Sequence, residues 1–371
     1  MQTGAASTPL TAPPWAWFPS NARSDIRMEA PVSFREFDVV EFLETACGTI
    51  EARPDDWLDG ILRVLRPALD FGLGVHAYFV DASQPDRFEA WGHRVVGAPD
   101  AAAAKAGFDA WLGSVPIAFQ RRMHTFAPFG SSADLPADIT PGDLDASLQA
   151  HHHPHMIGVN GLDATGRGCA LAAASSMPAA LPGGLRATAW GRVATHLGAA
   201  VRLRRRLAGR GPGAGDAVLD PTGRCLDATG DAAQRVARAA LREGALRIAH
   251  ARSRRARSPD DSLTLWQSLV AGRWSLVDQF ESDGRRYLVA VPNRPEVPSA
   301  RLFTSTEARI LGAMLMGHPN KLIAYELGIA PSTVGTHIAR AAAKLGVRGR
   351  VALMRRLGEE PGLVTGAGGA D

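Results

Sequence analysis

Cysteine is scarce in this chain. Of 371 residues only Cys47, Cys169 and Cys225 are cysteines, far apart and with no C-x-x-C pair. That excludes a disulfide framework and a cysteine metal centre, and it fits a reducing, cytoplasmic setting. Long apolar runs are also missing. The uncharged stretch 169–185 is broken by Pro178, Pro182 and two glycines, so it reads as strand and loop and not as a membrane span. The first residues have no basic segment followed by an apolar core, which argues against a signal peptide. Their Pro, Ser, Thr and Ala content predicts a disordered leader over 1–30, with a matching tail at 361–371. Neither a G-x-S-x-G elbow nor a phosphate-binding glycine loop occurs, so no catalytic residue, metal or cofactor is expected and the chain is read as a non-enzyme.

Acidic residues are nearly absent from one place, and that place is the most informative. Between Arg301 and Leu357 stand nine basic residues, and only Glu307 and Glu326 oppose them. So local an excess is an electrostatic footprint for phosphates. The same stretch reads as three short helices. Thr304 followed by Glu307 is a capping box. Ile310, Leu311, Met314 and Leu315 recur on one helical face, and Gly317 ends it. Asn320 opens a second helix with Leu322, Ile323 and Leu327 inward, and Gly328 supplies the tight turn. Pro331 suits a first helical residue. Val334, Ile338, Ala341 and Leu345 then face inward, leaving Thr333, Thr336, His337, Arg340 and Lys344 on the polar side.

These residues resemble the LuxR-type helix-turn-helix family of bacterial transcription regulators. The match runs through Thr304, Glu307, Leu311, Gly317, 320–324, Leu327, Ile329, Thr333, Val334, His337, Lys344, Leu345 and Arg350. The resemblance implies an all-α DNA-binding domain over 299–360, with its third helix in the major groove of double-stranded DNA. A fourth helix, 351–357, would pair two subunits as a homodimer, and RNA polymerase is a further implied partner. The residues implied for DNA are Asn320, Lys321, Ser332, Thr333, Thr336, His337, Arg340 and Lys344. Three positions depart from the family pattern: Gly335 replaces a lysine, Ala330 a serine cap, and Thr306 an arginine. An interaction or signalling protein with a degenerate helix-turn-helix that does not bind DNA is the alternative reading. The aromatic signature of acyl-homoserine-lactone sensors is absent.

Upstream, composition predicts two α+β units, making the chain multidomain. Over 31–209 the expected order is helix, helix, strand, strand, helix, strand, strand, helix, which resembles a GAF-type sensory domain in layout. Its first helix is expected from a Ser33/Glu36 capping box, and its second from an Asp55 or Asp56 cap. A hairpin is expected about 163–168, and 185–207 reads as a long amphipathic helix ending in arginines. After a Gly-rich linker, 216–292 resembles a small PAS-like domain, and Pro292 to Pro298 reads as a hinge. Together these suggest a one-component regulator whose sensory region answers an unknown small-molecule or protein signal.

Two clusters invite chemistry. His151, His152, His153 and His155 have ligand-type side chains, but adjacent residues beside Pro154 point apart, so a solvated loop is the preferred reading. His76, Tyr78, Trp91, Trp111 and His124 are candidates for a sensory pocket, with plain core as the competing expectation.

Overall fold

A computed structural model describes residues 37–48, 52–84, 86–135, 140–142, 144, 155–175, 187–208, 215–253, 258–271, 273–280, 286–293 and 303–359. The predicted leader, the tail, His151 to His153 and most of the hinge lie outside the described residues.

The N-terminal unit is a five-stranded antiparallel sheet with helices on both faces. Its strands are β1 (Val75–Asp81), β2 (Glu89–Val96), β3 (Phe129–Ser131), β4 (His155–Leu162) and β5 (Arg167–Ser175), in the order β2-β1-β5-β4-β3. Helices α1 (Val39–Gly48), α2 (Pro54–Leu69) and α5 (Ala187–Leu207) cover one face. Helices α3 (Ala101–Ser114) and α4 (Ile117–Thr125) lie on the other. Burial on both sides explains why β1 and β5 read as continuous apolar runs and not as alternation. Along β1, Val75, Ala77 and Phe79 enter the core beneath α1, α2 and α5, while Tyr78 and Val80 enter a second cluster beneath α3 and α4. The predicted hairpin is present: Asp163 Oδ1 accepts the Thr165 N–H at 2.8 Å and closes the β4–β5 turn.

Several expectations change. The first helix begins at Val39, where Asp38 Oδ1 accepts the Glu41 N–H at 2.9 Å; Ser33 and Glu36 lie outside the described residues. Neither Asp55 nor Asp56 caps α2: Arg53 holds the N-cap position without a side-chain cap, and Pro54 stands in the first turn, where its missing N–H removes one of the unpaired donors and its fixed φ suits the helix. Helix α4 and strand β3 were not anticipated, being too short and weakly patterned to stand out.

The second sheet, β7-β6-β9-β8, comprises β6 (Ala217–Leu219), β7 (Cys225–Ala228), β8 (Trp274–Phe280) and β9 (Arg286–Pro292), with α6 (Arg235–Arg252) packed on it and α7 (Pro259–Leu265) packed against α6, α1 and α5. Its core is continuous with that of the first sheet. Helix α5 is the shared spine. It is not amphipathic as expected, for its side chains are buried all round from Ala189 to Leu203 except half-buried Arg192. It packs on the first sheet, on the second sheet through Leu203, and on the C-terminal unit. A helix with three neighbours keeps no solvent face. Its terminal arginines are spent within the fold: Arg202 Nε reaches Asn293 Oδ1 at 3.3 Å, Arg205 reaches Asp163 at 3.3 Å, and Arg204 lies over the Trp57 ring.

The C-terminal unit is helical: α8 (Ser305–Leu315), α9 (Asn320–Leu327), α10 (Pro331–Lys344) and α11 (Gly349–Glu359). Leu311, Met314, Ile323, Leu327, Val334, Ile338 and Leu353 form its core, together with Leu269 from upstream.

Candidate nucleic-acid interface

Local chemistry places each helix of the C-terminal unit. The predicted capping box exists: Glu307 N donates to Thr304 Oγ1 at 3.2 Å and Thr304 N to Glu307 Oε2 at 2.8 Å. Gly328 ends α9 at φ 64°, in the left-handed region where a side chain is strained. Pro331 occupies the first turn of α10, and Ala330 gives no side-chain cap.

Helix α10 presents the outer face. Ser332, Thr333, Thr336 and Arg340 are exposed and follow one another at helical spacing, so they share one side. The Thr336 hydroxyl donates to the Ser332 carbonyl at 3.0 Å. His337 is half-buried, and its Nδ1 has no partner among the described residues. Lys321 is exposed at the start of α9. Gly335 interrupts nothing: α10 runs through it, and a Cβ there would meet no atom within 4 Å.

Two of the residues implied for DNA have internal roles. Lys344 Nζ lies 2.6 Å from Glu307 Oε2, closing the capping box with a cation. Burial pulls the Glu307 carboxyl up, but Lys344 and the Thr304 cap outweigh it and hold it below its usual range. Asn320 Oδ1 accepts from Arg350, whose second nitrogen donates to the His318 carbonyl at 2.8 Å. Both acidic side chains of the unit's helical core, Glu307 and Glu326, are buried. Glu326 lies 3.8 Å from Arg202 of α5 and 3.5 Å from His318. Burial raises its pKa, yet His318, Arg202 and Arg309 together lower it overall. The acids are therefore withdrawn and paired, while Lys321, Arg340 and Arg348 stay exposed. Arg348 was counted among the cations but not assigned to the interface; only its exposure singles it out.

The opposite side of α9 is buried against the upstream region. Tyr325 Oη sits 2.6 Å from His196 Nε2, 2.6 Å from the Leu263 carbonyl and 2.8 Å from that of Trp266. The Ser268 hydroxyl donates to the Glu326 carbonyl at 3.2 Å. Burial pulls His196 down to about 4, so it is neutral near pH 7. Its Nε2–H tautomer donates to Tyr325, which leaves the hydroxyl hydrogen for a carbonyl. Backbone approaches are close as well. A Cβ on Gly312 would stand 2.6 Å from the Ala164 carbonyl, and one on Gly317 would collide with that of Phe126.

Short helices joined by a left-handed glycine turn, the last of them basic and exposed, define a helix-turn-helix unit. Residues 301–357 match the GerE family model, described as bacterial regulatory proteins, luxR family, so this segment is a LuxR-type helix-turn-helix domain. Comparison of the chain with curated proteins finds no match. The sheet-rich region ahead of it makes the chain multidomain. No described helix is long and apolar enough to cross a membrane, and no group of metal-ligating side chains occurs among the described residues, where His155 belongs to β4.

Of the proposed pocket residues, Tyr78, Trp111 and His124 line one cavity. His76 is on the same side of the sheet, stacked on Phe108 and 3.0 Å from His93. Trp91 is excluded: it is 51% exposed and stacks on its cross-strand partner Phe79, on the face of the sheet opposite Tyr78.

Proposed function

We propose that this protein is a one-component transcription regulator that binds double-stranded DNA through α10 and is controlled by its upstream region. The observation that carries the reading is the sorting of charge in the LuxR-type domain. Glu307 and Glu326 are buried and paired, whereas Lys321 and Arg340 flank the exposed Ser332, Thr333 and Thr336. Phosphate contacts by lysine and arginine supply affinity, and hydroxyl or guanidinium groups in a groove supply base preference. In this reading Lys344 and Asn320 hold the domain together and the remaining implied residues meet DNA. Helix α11, with Val351 82% exposed, is free to pair two copies. Control is supported by the docking of α9 on α5 and of Gly312 on the β4–β5 turn, which tie the position of the reader to the fold upstream. A cytoplasmic homodimer that contacts RNA polymerase fits the same picture.

The test is a mobility shift of the full chain on its own promoter at several salt concentrations. Affinity should fall steeply with salt, by about −0.9 in slope for each phosphate neutralised, and Arg340→Ala should weaken it. A slope near zero would overturn DNA binding. For control, Gly312→Leu suits a helix yet collides with Ala164. It should undock the domain and change promoter output; identical output would remove the regulatory part.

A further inference from the structure

The segment that follows α7 is built into the reader, although it lies outside the residues 301–357 that match the family. The Leu269 side chain is buried in the core of the helix-turn-helix domain. The Ser268 hydroxyl donates to the Glu326 carbonyl at 3.2 Å, and the Ser268 carbonyl accepts from the Ser275 hydroxyl at 2.9 Å. Gly328, the left-handed residue between α9 and α10, is pressed on the same segment. A Cβ there would stand 2.6 Å from the Leu269 carbonyl oxygen and 3.4 Å from the Ala271 nitrogen. Residues 268–271 are therefore fixed against the turn of the helix-turn-helix.

Immediately beyond, the chain reverses. The Val270 N–H donates to the Trp274 carbonyl at 2.6 Å, and the Arg273 N–H donates to the Val270 carbonyl at 3.0 Å. The Asn293 N–H holds the Arg273 carbonyl at 2.6 Å. Ala271 is exposed and left-handed, at φ 49°. A residue with a Cβ is strained there, and such strain persists only where the surroundings enforce it. The reversal leaves 56% of the Arg273 side chain exposed. Its guanidinium lies over the Trp274 ring and 2.6 Å from Asp231, which is itself half exposed.

The position of this arginine matters more than its charge. A recognition helix enters the groove with its N-terminal residues foremost. Here those are Ser332 and Thr333, exposed together with Ala330 and Pro331. What abuts the turn ahead of them stands beside the sugar–phosphate backbone that borders the groove. An exposed ion pair contributes little in water, so Asp231 holds Arg273 only weakly. A phosphate offers the same guanidinium a bidentate, charge-assisted acceptor. We propose that the DNA-contacting surface extends past the helix-turn-helix onto the turn at 270–274, where Arg273 exchanges Asp231 for a phosphate flanking the site read by α10.

Neighbouring cations on α6 are placed differently. Arg247 is engaged, with Nη1 2.9 Å from Gln267 Oε1 and Nη2 2.9 Å from Glu243 Oε1. Arg242 packs over Gly223 in the β6–β7 turn, whereas Gly244 packs on Val270. Two positions apart on a helix is more than half a turn, so α6 directs exposed Arg242 away from the 270–274 turn.

This proposal rests on the DNA-binding reading, and its test separates the two. Phosphate contacts carry no sequence information, so the full chain is titrated with a mixed-sequence DNA duplex at several salt concentrations. The wild type should show a steep negative slope of log K against log salt. Arg273→Gln should weaken binding several-fold and make the slope shallower by about 0.9, the share of one phosphate. Arg273→Lys keeps the charge and should keep the slope, and Arg242→Gln should leave it unchanged. All three replace exposed side chains, and circular dichroism checks that each variant is folded. An unchanged slope in Arg273→Gln would overturn the proposal. So would an equal loss in Arg242→Gln, or a loss in Arg273→Lys as large as in Arg273→Gln. Each of these results leaves DNA binding by α10 intact, whereas a wild-type slope near zero would overturn both.

Discussion

Helices α9 and α10 are neighbours in one small domain, share one apolar core, and use their polar side chains in opposite ways. In α9, Tyr325 and Glu326 turn inward and bond to α5, α7 and the segment after α7. In α10, Ser332, Thr333, Thr336 and Arg340 turn outward, and within the described structure only Thr336 is engaged, with its own helix. The difference teaches that polarity alone does not mark a binding face. A tyrosine and a glutamate were the less conspicuous residues, yet they carry the interdomain contact. A polar group that finds protein partners is structural, and one that finds none is available to a ligand.

The strongest way to break the comparison is pH. Burial holds His196 and His124 near 4, below the ordinary value near 6.5. The unfolded chain thus binds more protons between those values, and stability is full above about 6.5 and is lost as pH falls towards 4. Each histidine contributes on the order of 3 kcal/mol across that window. Denaturant unfolding of the full chain at pH 7 and pH 5 should show the loss, and His196→Gln should reduce it. A flat profile would mean that His196 is not held neutral under α9.

Next in size is the hydroxyl itself. Tyr325→Phe leaves His196 Nε2 and two carbonyls without their shared partner, a cost of about 1–3 kcal/mol. Hydrogen exchange should quicken in α7 and α9 more than in α10. Uniform quickening would mean that the two faces are not separate.

On the other face, Arg340→Ala should cost about 1–3 kcal/mol of DNA affinity if it reads a base edge, with no change in melting temperature. Lys344→Ala should do the reverse in kind, lowering the melting temperature by unpairing buried Glu307. Calorimetry and a binding titration on both variants decide whether Lys344 belongs with the structural set. The smallest effect is at Gly335. Gly335→Ala should add about 1 kcal/mol of stability from helix propensity, because no atom obstructs its Cβ. Gly335→Lys should add the same and also steepen the salt slope by up to about one unit.

Much of the C-terminal domain was legible because its signals are local. The Thr304–Glu307 box, the left-handed Gly328 and Pro331 at a helix start each act within about one helical turn, so spacing alone reveals them. The β4–β5 hairpin was equally plain, since Asp163 bonds to Thr165 two residues on. Trp91 misled because its face of the sheet is set by its pairing with Phe79, on the side opposite Tyr78, and that register is not written in the residue itself.

The sequence by itself determined the helix-turn-helix, its basic excess and the strand pairs β4–β5, β6–β7 and β8–β9, all of which follow from contacts between near neighbours in the chain. Only the tertiary structure decided that α5 is buried all round, that Lys344 serves Glu307, and that Tyr325 meets His196 across 129 positions. Burial and hydrogen-bond satisfaction are properties of everything that converges on an atom, and residues distant in sequence supply most of what converges here.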